Sequence, residues 1–211
     1  MPLHPENIPL SKRGFDLILS TFGLIILSPV LLVISVFILI FQGLPVLFIQ
    51  QRPGYQAKPF SIYKFRTMTD DSSPDGNLLP EQQRITRLGK ILRATSLDEI
   101  LELINVFRGE MSIVGPRPLL MRYLSRYSIE QARRHDVLPG ITGWAQINGR
   151  NAITWEEKFT LDVWYVDNWS FWLDIKILLQ TLWKVLLREG IDEPGHISAG
   201  EFMGSQNKSH Q

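Results

Sequence analysis

Asp98 and Glu99 are adjacent carboxylates in a chain whose other charged motifs are mostly cationic. Lys64 and Arg66 are two residues apart, so a strand would turn both to one face. Arg84, Arg87, Lys90 and Arg93 recur every three residues and form one basic stripe if 81–93 is a helix. Arg117 lies between two prolines in Gly115-Pro116-Arg117-Pro118. The prolines restrict the backbone there, leaving the guanidinium less entropy to lose on clasping a phosphate. Arg150 follows Gly149 in a further turn-prone stretch. Many cations around one acidic pair point to a doubly phosphorylated substrate and a divalent metal.

The same residues have plainer readings. Ser96-Leu97-Asp98-Glu99 fits the S-x-x-E capping box, and acidic residues in a first helical turn suit the helix dipole without any catalysis. The basic stripe is equally a solvated helix face or a contact for anionic lipid headgroups or a phosphorylated substrate. Arg117 between prolines is also what a rigid exposed turn looks like. As adjacent helical residues, Asp98 and Glu99 would point about 100° apart, which suits two separate tasks better than one symmetric clasp.

These groups need elements to position them. The spacing predicts short strands over 45–51 and 60–65 around the turn Arg52-Pro53-Gly54-Tyr55, and a surface loop over 70–79. A helix follows Ser96, with Leu97, Ile100, Leu101, Ile104 and Phe107 as its apolar face and Gly109 as its exit. Residues 111–114 read as a strand and 139–143 as a turn-rich loop. The C-terminal third carries Trp155, Trp164, Trp169, Trp172 and Trp183 beside Phe159, Tyr165 and Phe171, a cluster suited to the headgroup level of a membrane. Residues 175–187 read as an amphipathic helix with Lys176, Lys184 and nearby Arg188. The tail after Gly190 reads as irregular, and its His196 has no metal-ligand spacing to another His.

No charged residue occurs between Asp16 and Arg52, and Ser28-Pro29 interrupts this apolar stretch at its middle. Unbroken, it would cross a hydrocarbon core of about 30 Å. Pro29 lacks an N–H and clashes with the carbonyl of Ile25, and the Ser28 hydroxyl is a candidate partner for the freed backbone. Cations flank both ends: Lys12 and Arg13 before, Arg52, Lys58, Lys64 and Arg66 after. Positive charge on both sides is awkward for one crossing and natural for a re-entrant hairpin. A kinked transmembrane helix satisfies the same pattern. A cleaved signal peptide does not: the apolar region is too long and no small-x-small site follows it.

Composition limits the rest. The 211 residues hold one globular domain beside the membrane segment. With no cysteine, neither a disulfide nor a Cys zinc site is possible. A formal net charge of +1 argues against bulk nucleic-acid binding.

Taken together, Gln51-Arg52-Pro53-Gly54, Tyr63-Lys64-Phe65-Arg66-Thr67-Met68, Ser96-Leu97-Asp98-Glu99, Gly115-Pro116-Arg117-Pro118-Leu119 and the run from Pro139 through Gly140-Ile141-Thr142-Gly143-Trp144 to Gly149-Arg150-Asn151 resemble the bacterial sugar transferase family. These are the monotopic polyprenyl-phosphate phosphoglycosyl transferases. The resemblance covers nearly the whole chain, to Pro194-Gly195-His196. Within the family it resembles members that transfer di-N-acetylbacillosamine phosphate in N-linked protein glycosylation. It implies an α+β fold: a re-entrant helix-break-helix hairpin in 1–45, with Ser28 and Pro29 as the break, a small mixed α/β catalytic domain with interfacial helices in 46–190, and a tail in 191–211.

The implied reaction passes a sugar-1-phosphate from a UDP-sugar to undecaprenyl phosphate, releasing UMP, as the first membrane step of glycoconjugate assembly. The resemblance makes Asp98 the nucleophile and Glu99 its partner, with Mg2+ held at this pair. It puts Lys64, Arg93, Arg117 and Arg150 near phosphate or nucleotide, and Asp174 at a further acidic position. It implies a bacterial inner-membrane protein with a cytoplasmic active site, membrane lipids around it and downstream glycosyltransferases as partners. Leu138 departs from the basic residue common in the family before Pro-Gly. Two other classes fit the residues alone: a membrane-anchored lipid-binding interaction protein, and a phosphatase or hydrolase acting on lipid intermediates.

Overall fold

The computed structural model describes residues 8–149, 153–187 and 201–204. Helix α1 (Leu10–Gln42) is a 33-residue apolar element with Pro29 inside it. Its length and composition suffice to cross a membrane. Ser28 Oγ donates to the carbonyl of Ile25 at 2.8 Å, the acceptor that Pro29 cannot serve. The segment is therefore one helical element through Pro29, and the expected division into two helices is not what its secondary structure displays.

The two cations before the apolar stretch are not free flanking charges. Lys12 Nζ donates to Asp174 Oδ2 at 2.6 Å, to the carbonyl of Val114 at 2.9 Å and to Tyr165 Oη at 3.2 Å. Arg13 donates to the carbonyls of Val106 and Phe107, both at 2.7 Å. Asp16 Oδ1 accepts from Ser112 Oγ and from the Ile113 N–H. The first turns of α1 are thus pinned inside the domain. Further along, Gly23 faces Leu103, and Ile34 and Ile38 are buried against Phe65, Leu92 and Leu101. Both halves of the apolar helix rest on the same body, while Phe22, Ile26, Leu32, Ile40 and Phe41 remain exposed.

An antiparallel hairpin follows, β1 (Leu47–Pro53) with β2 (Pro59–Phe65), in the register Arg52↔Phe60, Gln50↔Ile62, Phe48↔Lys64. Directly opposed residues share a face, so Arg52, Phe60, Ile62 and Lys64 lie on one side. The 70–79 stretch is the expected surface loop, closed by an isolated Ser72–Leu78 bridge.

The expected helix over 81–93 is two helices, α2 (Glu81–Arg84) and α3 (Arg87–Ala94). Ile85 leaves the helix to pair with Met68, and Thr86 Oγ1 accepts from the Gly89 N–H to cap α3. The basic stripe is broken by this turn: Arg84 bonds the carbonyls of Leu79 and Thr69.

The capping box expected at Ser96 does not form. Ser96 has a left-handed backbone with φ 55° and no side-chain cap, and Leu97–Glu99 is a 3-10 turn. Helix α4 (Glu102–Arg108) begins only after it and exits at Gly109, φ 79°. Real capping boxes occur elsewhere, at Ser128–Gln131 and Thr154–Glu157, opening α5 (Ile129–Ala132) and α7 (Trp155–Asn168).

Strands β3 (Ser112–Val114) and β4 (Gly140–Thr142) pair in parallel, so part of the expected 139–143 loop is a strand. The two backbones cross closely: a Cβ on Gly140 would lie 2.1 Å from the Gly115 nitrogen. Only glycine allows that approach, and it fixes the chain just before Pro116. Short α6 (Trp144–Asn148) precedes α7, and α8 (Phe171–Leu186) is the last helix among the described residues.

Tyr165, Ile177, Ile147 and Val106 join Phe60 and Ile62 in the main core. The tryptophans divide. Trp155 packs with Tyr123, Phe159 and Phe202 in an aromatic cluster, whereas Trp172 and Trp183 are exposed with Leu179 and Leu182 on α8. Residues 201–204 are irregular, as expected of the tail, yet Phe202 is buried. Arg188 and His196 lie outside the described residues.

Candidate active site

The hairpin, the 3-10 turn and the Pro116–Pro118 loop converge on Glu99. Its Oε1 accepts from Lys64 Nζ at 2.7 Å and from Arg117 Nη2. The Ser96 N–H donates instead to the Arg93 carbonyl at 3.1 Å and Glu99 is committed to two cations, so neither half of the capping box forms. Burial alone would push the Glu99 carboxyl up; Arg117 and Lys64 overcome it and hold it at about 2. Glu99 in turn raises the affinity of Arg117 for its proton.

Asp98 is buried next door and forms no ion pair among the described residues. Lys64 and Arg93 act on it electrostatically from a longer range. Its pKa is raised, first by burial and second by Glu99, and the two cations do not reverse this. Burial is thus the largest single influence on the Asp98 carboxyl. The two carboxylates are unlike, one clamped and one free of salt bridges. Arg93 is itself oriented by Thr67 Oγ1 at 3.1 Å and Met68 Sδ at 2.8 Å.

Two further groups complete the cluster. Glu102 is 1% exposed, and its Oε1 lies 3.3 Å from Lys64 Nζ. Burial and the neighbouring Glu99 push its carboxyl up to about 7. Arg52 reaches the same place from β1. Arg52, Lys64, Glu102 and Arg117, with Ile62, Pro118 and Leu119, line a cleft of about 90 Å3. The signals for both were available: Glu102 stands three residues from Glu99, a same-face spacing, and Arg52 opposes Phe60 in the strand register that turns Lys64 inward.

The remaining expected residues lie elsewhere. Arg66 does not converge with Lys64; it bonds Asp70, Met68 and Leu44. Asp174 is 1% exposed and saturated by Lys12, Tyr165 Oη at 2.7 Å and Trp169 Nε1 at 3.0 Å. It holds α1 to α8. Leu138 is fully buried with Ile8 and Tyr55 in a small apolar cluster. Arg150 lies outside the described residues.

No group of three or more metal-binding side chains occurs among the described residues. The carboxylates present, Asp98 and the Glu99 oxygen not bonded to Lys64 and Arg117, are nonetheless oxygen donors. That suits Mg2+, which commonly takes one or two carboxylates and completes its shell with water and substrate phosphates. The residues therefore fit an ion that arrives with a phosphorylated ligand.

Comparison with known proteins shows which family the chain resembles. The family model described as "Bacterial sugar transferase" matches residues 8–188. The chain is 56% identical over 198 residues to "Uncharacterized sugar transferase EpsL" of Bacillus subtilis (strain 168), covering 94% of this chain and 98% of that protein. It is 42% identical to "UDP-glucose:undecaprenyl-phosphate glucose-1-phosphate transferase" of Klebsiella pneumoniae, over 87% of this chain and 41% of that protein. It is 35% identical to "UDP-N-acetylgalactosamine-undecaprenyl-phosphate N-acetylgalactosaminephosphotransferase" of Aeromonas hydrophila, over 83% of this chain and 43% of that protein. The chain thus spans less than half the length of the latter two relatives.

Proposed function

We propose, from the premise that this chain belongs to the bacterial sugar transferase family, that it transfers a sugar-1-phosphate from a UDP-sugar to undecaprenyl phosphate through a covalent intermediate on Asp98. The observation that carries this reading is the asymmetry of the acidic pair. Glu99 is committed to Lys64 and Arg117, while Asp98, within the electrostatic reach of Lys64 and Arg93, forms no salt bridge among the described residues.

In the proposed sequence an Asp98 oxygen attacks the phosphorus that bears the sugar. The bond from that phosphorus to the bridging oxygen breaks, and UMP leaves with the bridging oxygen. The lipid phosphate oxygen then attacks the aspartyl-linked phosphorus and releases the Asp98 carboxylate. Lys64, Arg93 and Arg117 spread the charge that grows on the transferring group. Arg150 joins them by its motif. Glu99 positions Lys64 and Arg117 and so acts on the cations. When bound, Mg2+ supplies further neutralisation of the pyrophosphate, with Asp98 and Glu99 as its protein ligands.

The proposed setting is a monotopic membrane protein with α1 re-entrant and the site on the cytoplasmic face. Contact of both the Lys12 end and the Ile38 end of α1 with one domain supports re-entry, since a straight crossing would carry one end away from it. For the sugar we propose an N-acetylated amino sugar, such as di-N-acetylbacillosamine, on the strength of the motif resemblance. Relatives named for glucose and N-acetylgalactosamine transfer define the competing donors.

The test is UMP release by the purified full chain, with undecaprenyl phosphate, Mg2+ and a panel of UDP-sugars. One donor should give UMP and an equal amount of lipid-linked product, and EDTA should stop it. Release of inorganic phosphate or free sugar phosphate would instead favour a hydrolase. No consumption of any donor, with retained binding to anionic vesicles, would leave only the interaction-protein reading.

A further inference from the structure

We propose that Arg52 and Arg117 together form a two-guanidinium clamp for a phosphate monoester dianion, a binding role for Arg52 that rests on the transferase reading above. The geometry leads there in three steps. The register puts Arg52 opposite Phe60, on the face that also carries Lys64, so its side chain enters the cleft from β1. Arg117 enters the same cleft from the loop beyond β3. Two guanidinium groups thus share one small cavity.

The hydrogen bonding of Arg52 is incomplete. Its Nη2 donates to Gln50 Oε1 at 2.6 Å, but its buried Nε has no partner among the described residues. A buried, unserved N–H is costly unless a ligand takes it. The electrostatics agree. Burial and, next, the positive charge of Arg117 both work against the charged state of Arg52. Glu99 and Glu102 offset this, but Glu99 is already divided between Lys64 and Arg117. Two like charges facing a shared cavity lose this repulsion when an anion lies between them. Each guanidinium offers a planar fork matched to phosphate oxygens, so the pair suits a terminal phosphate with three free oxygens better than a diester.

The reaction proposed above contains two such monoesters: UMP, which leaves, and the lipid phosphate, which arrives. The clamp chemistry is the same for both, and kinetics separates them. The full chain in detergent is titrated with inorganic phosphate and with UMP, following the 31P signal, for wild type, Arg52→Gln, Arg52→Lys and a surface control Arg133→Gln. Thermal unfolding of each variant checks that the fold persists. Arg52→Gln should weaken phosphate binding at least tenfold, Arg52→Lys should recover part of it, and Arg133→Gln should match wild type.

If UMP is the ligand, product inhibition by UMP weakens tenfold or more while the KM for undecaprenyl phosphate stays constant. If the lipid phosphate is the ligand, that KM rises tenfold or more while single-turnover UMP release in the absence of acceptor is unchanged. Either outcome supports the clamp. Equal phosphate, UMP and acceptor affinities in Arg52→Gln and wild type overturn it. Should wild type consume no UDP-sugar at all, the transferase reading fails, and the inorganic-phosphate titration alone decides the clamp.

Discussion

Glu99 is the residue on which the local electrostatics turn. Its carboxylate is held near a pKa of about 2 and Glu102, three residues on, near about 7. The signs are opposite, and so are the consequences. Glu102 is raised from 4.5, so its contribution to stability is complete below that value and is lost as pH rises through about 7. Glu99 is lowered from 4.5, so its contribution is present above that value and is lost as pH falls toward about 2. Replacing Glu102 by Gln removes the first dependence. The stability of Glu102→Gln relative to wild type should therefore increase between pH 5 and 8, by on the order of 2 kcal/mol, in denaturant titrations at each pH. A constant difference across that range would show that Glu102 does not titrate there.

Arg117 makes a second prediction at this scale. Its carbonyl accepts from Arg134 Nη2 at 2.8 Å, so the loop is held by its backbone as well as by its prolines. Arg117→Ala leaves Glu99 with Lys64 alone, so it should lower the melting temperature by several degrees while the fold persists. It should lose about 2–4 kcal/mol of transition-state stabilisation, read as kcat/KM. Near wild-type turnover would remove Arg117 from the phosphate site.

Among the elements, α1 is bound to the domain by a buried ion pair, Lys12 with Asp174. Removing one partner leaves the other charge buried and unserved. Asp174→Ala should destabilise the fold by about 3–5 kcal/mol, and Lys12→Met with Asp174→Leu should recover much of it. Thermal unfolding in detergent reads both. A mild effect of the single change would mean that Asp174 is not needed for docking, and would reopen a role for it in chemistry.

The strands of the hairpin, the α4 exit at Gly109 and the Ser28 hydroxyl on the Ile25 carbonyl were legible from spacing and residue type, because each is decided by neighbours in the chain. The break at Ile85, the lost cap at Ser96 and the pairing of β4 with β3 were not. Met68 captures Ile85, two cations capture Glu99, and a glycine crossing brings β4 to β3. All are tertiary events between distant residues. The acidic pair and Lys64, Arg93 and Arg117 were visible as types, whereas Arg52 and Glu102 needed a strand register and a same-face spacing to be seen as lining a cleft. Asp174 and Lys12 looked like a site residue and a flanking charge because sequence does not reveal that they find each other.

At the scale of the whole molecule, the apolar outer face of α1 and the exposed Trp172, Trp183, Leu179 and Leu182 of α8 are surfaces suited to lipid. With α1 re-entrant, cysteines placed at the exposed Leu10 and Lys58 should both be labelled from the cytoplasmic side alone. Replacing Ser28 and Pro29 by Ala and Leu should shift the segment toward spanning. Labelling of the native segment from opposite sides would replace the hairpin with a crossing helix.

A site held at the bilayer surface meets a water-soluble donor and a lipid acceptor that need not be bound together if the sugar phosphate waits on the enzyme. That is the central claim, and one measurement addresses it directly. The full chain is mixed with its donor and Mg2+ without undecaprenyl phosphate, and UMP and the mass of the peptide containing Asp98 are followed. The account predicts one equivalent of UMP, a sugar-phosphate mass increase on that peptide, loss of both in Asp98→Asn, and discharge of the adduct on adding lipid phosphate. Release of UMP only when both substrates are present, with no adduct and an active Asp98→Asn variant, would contradict it.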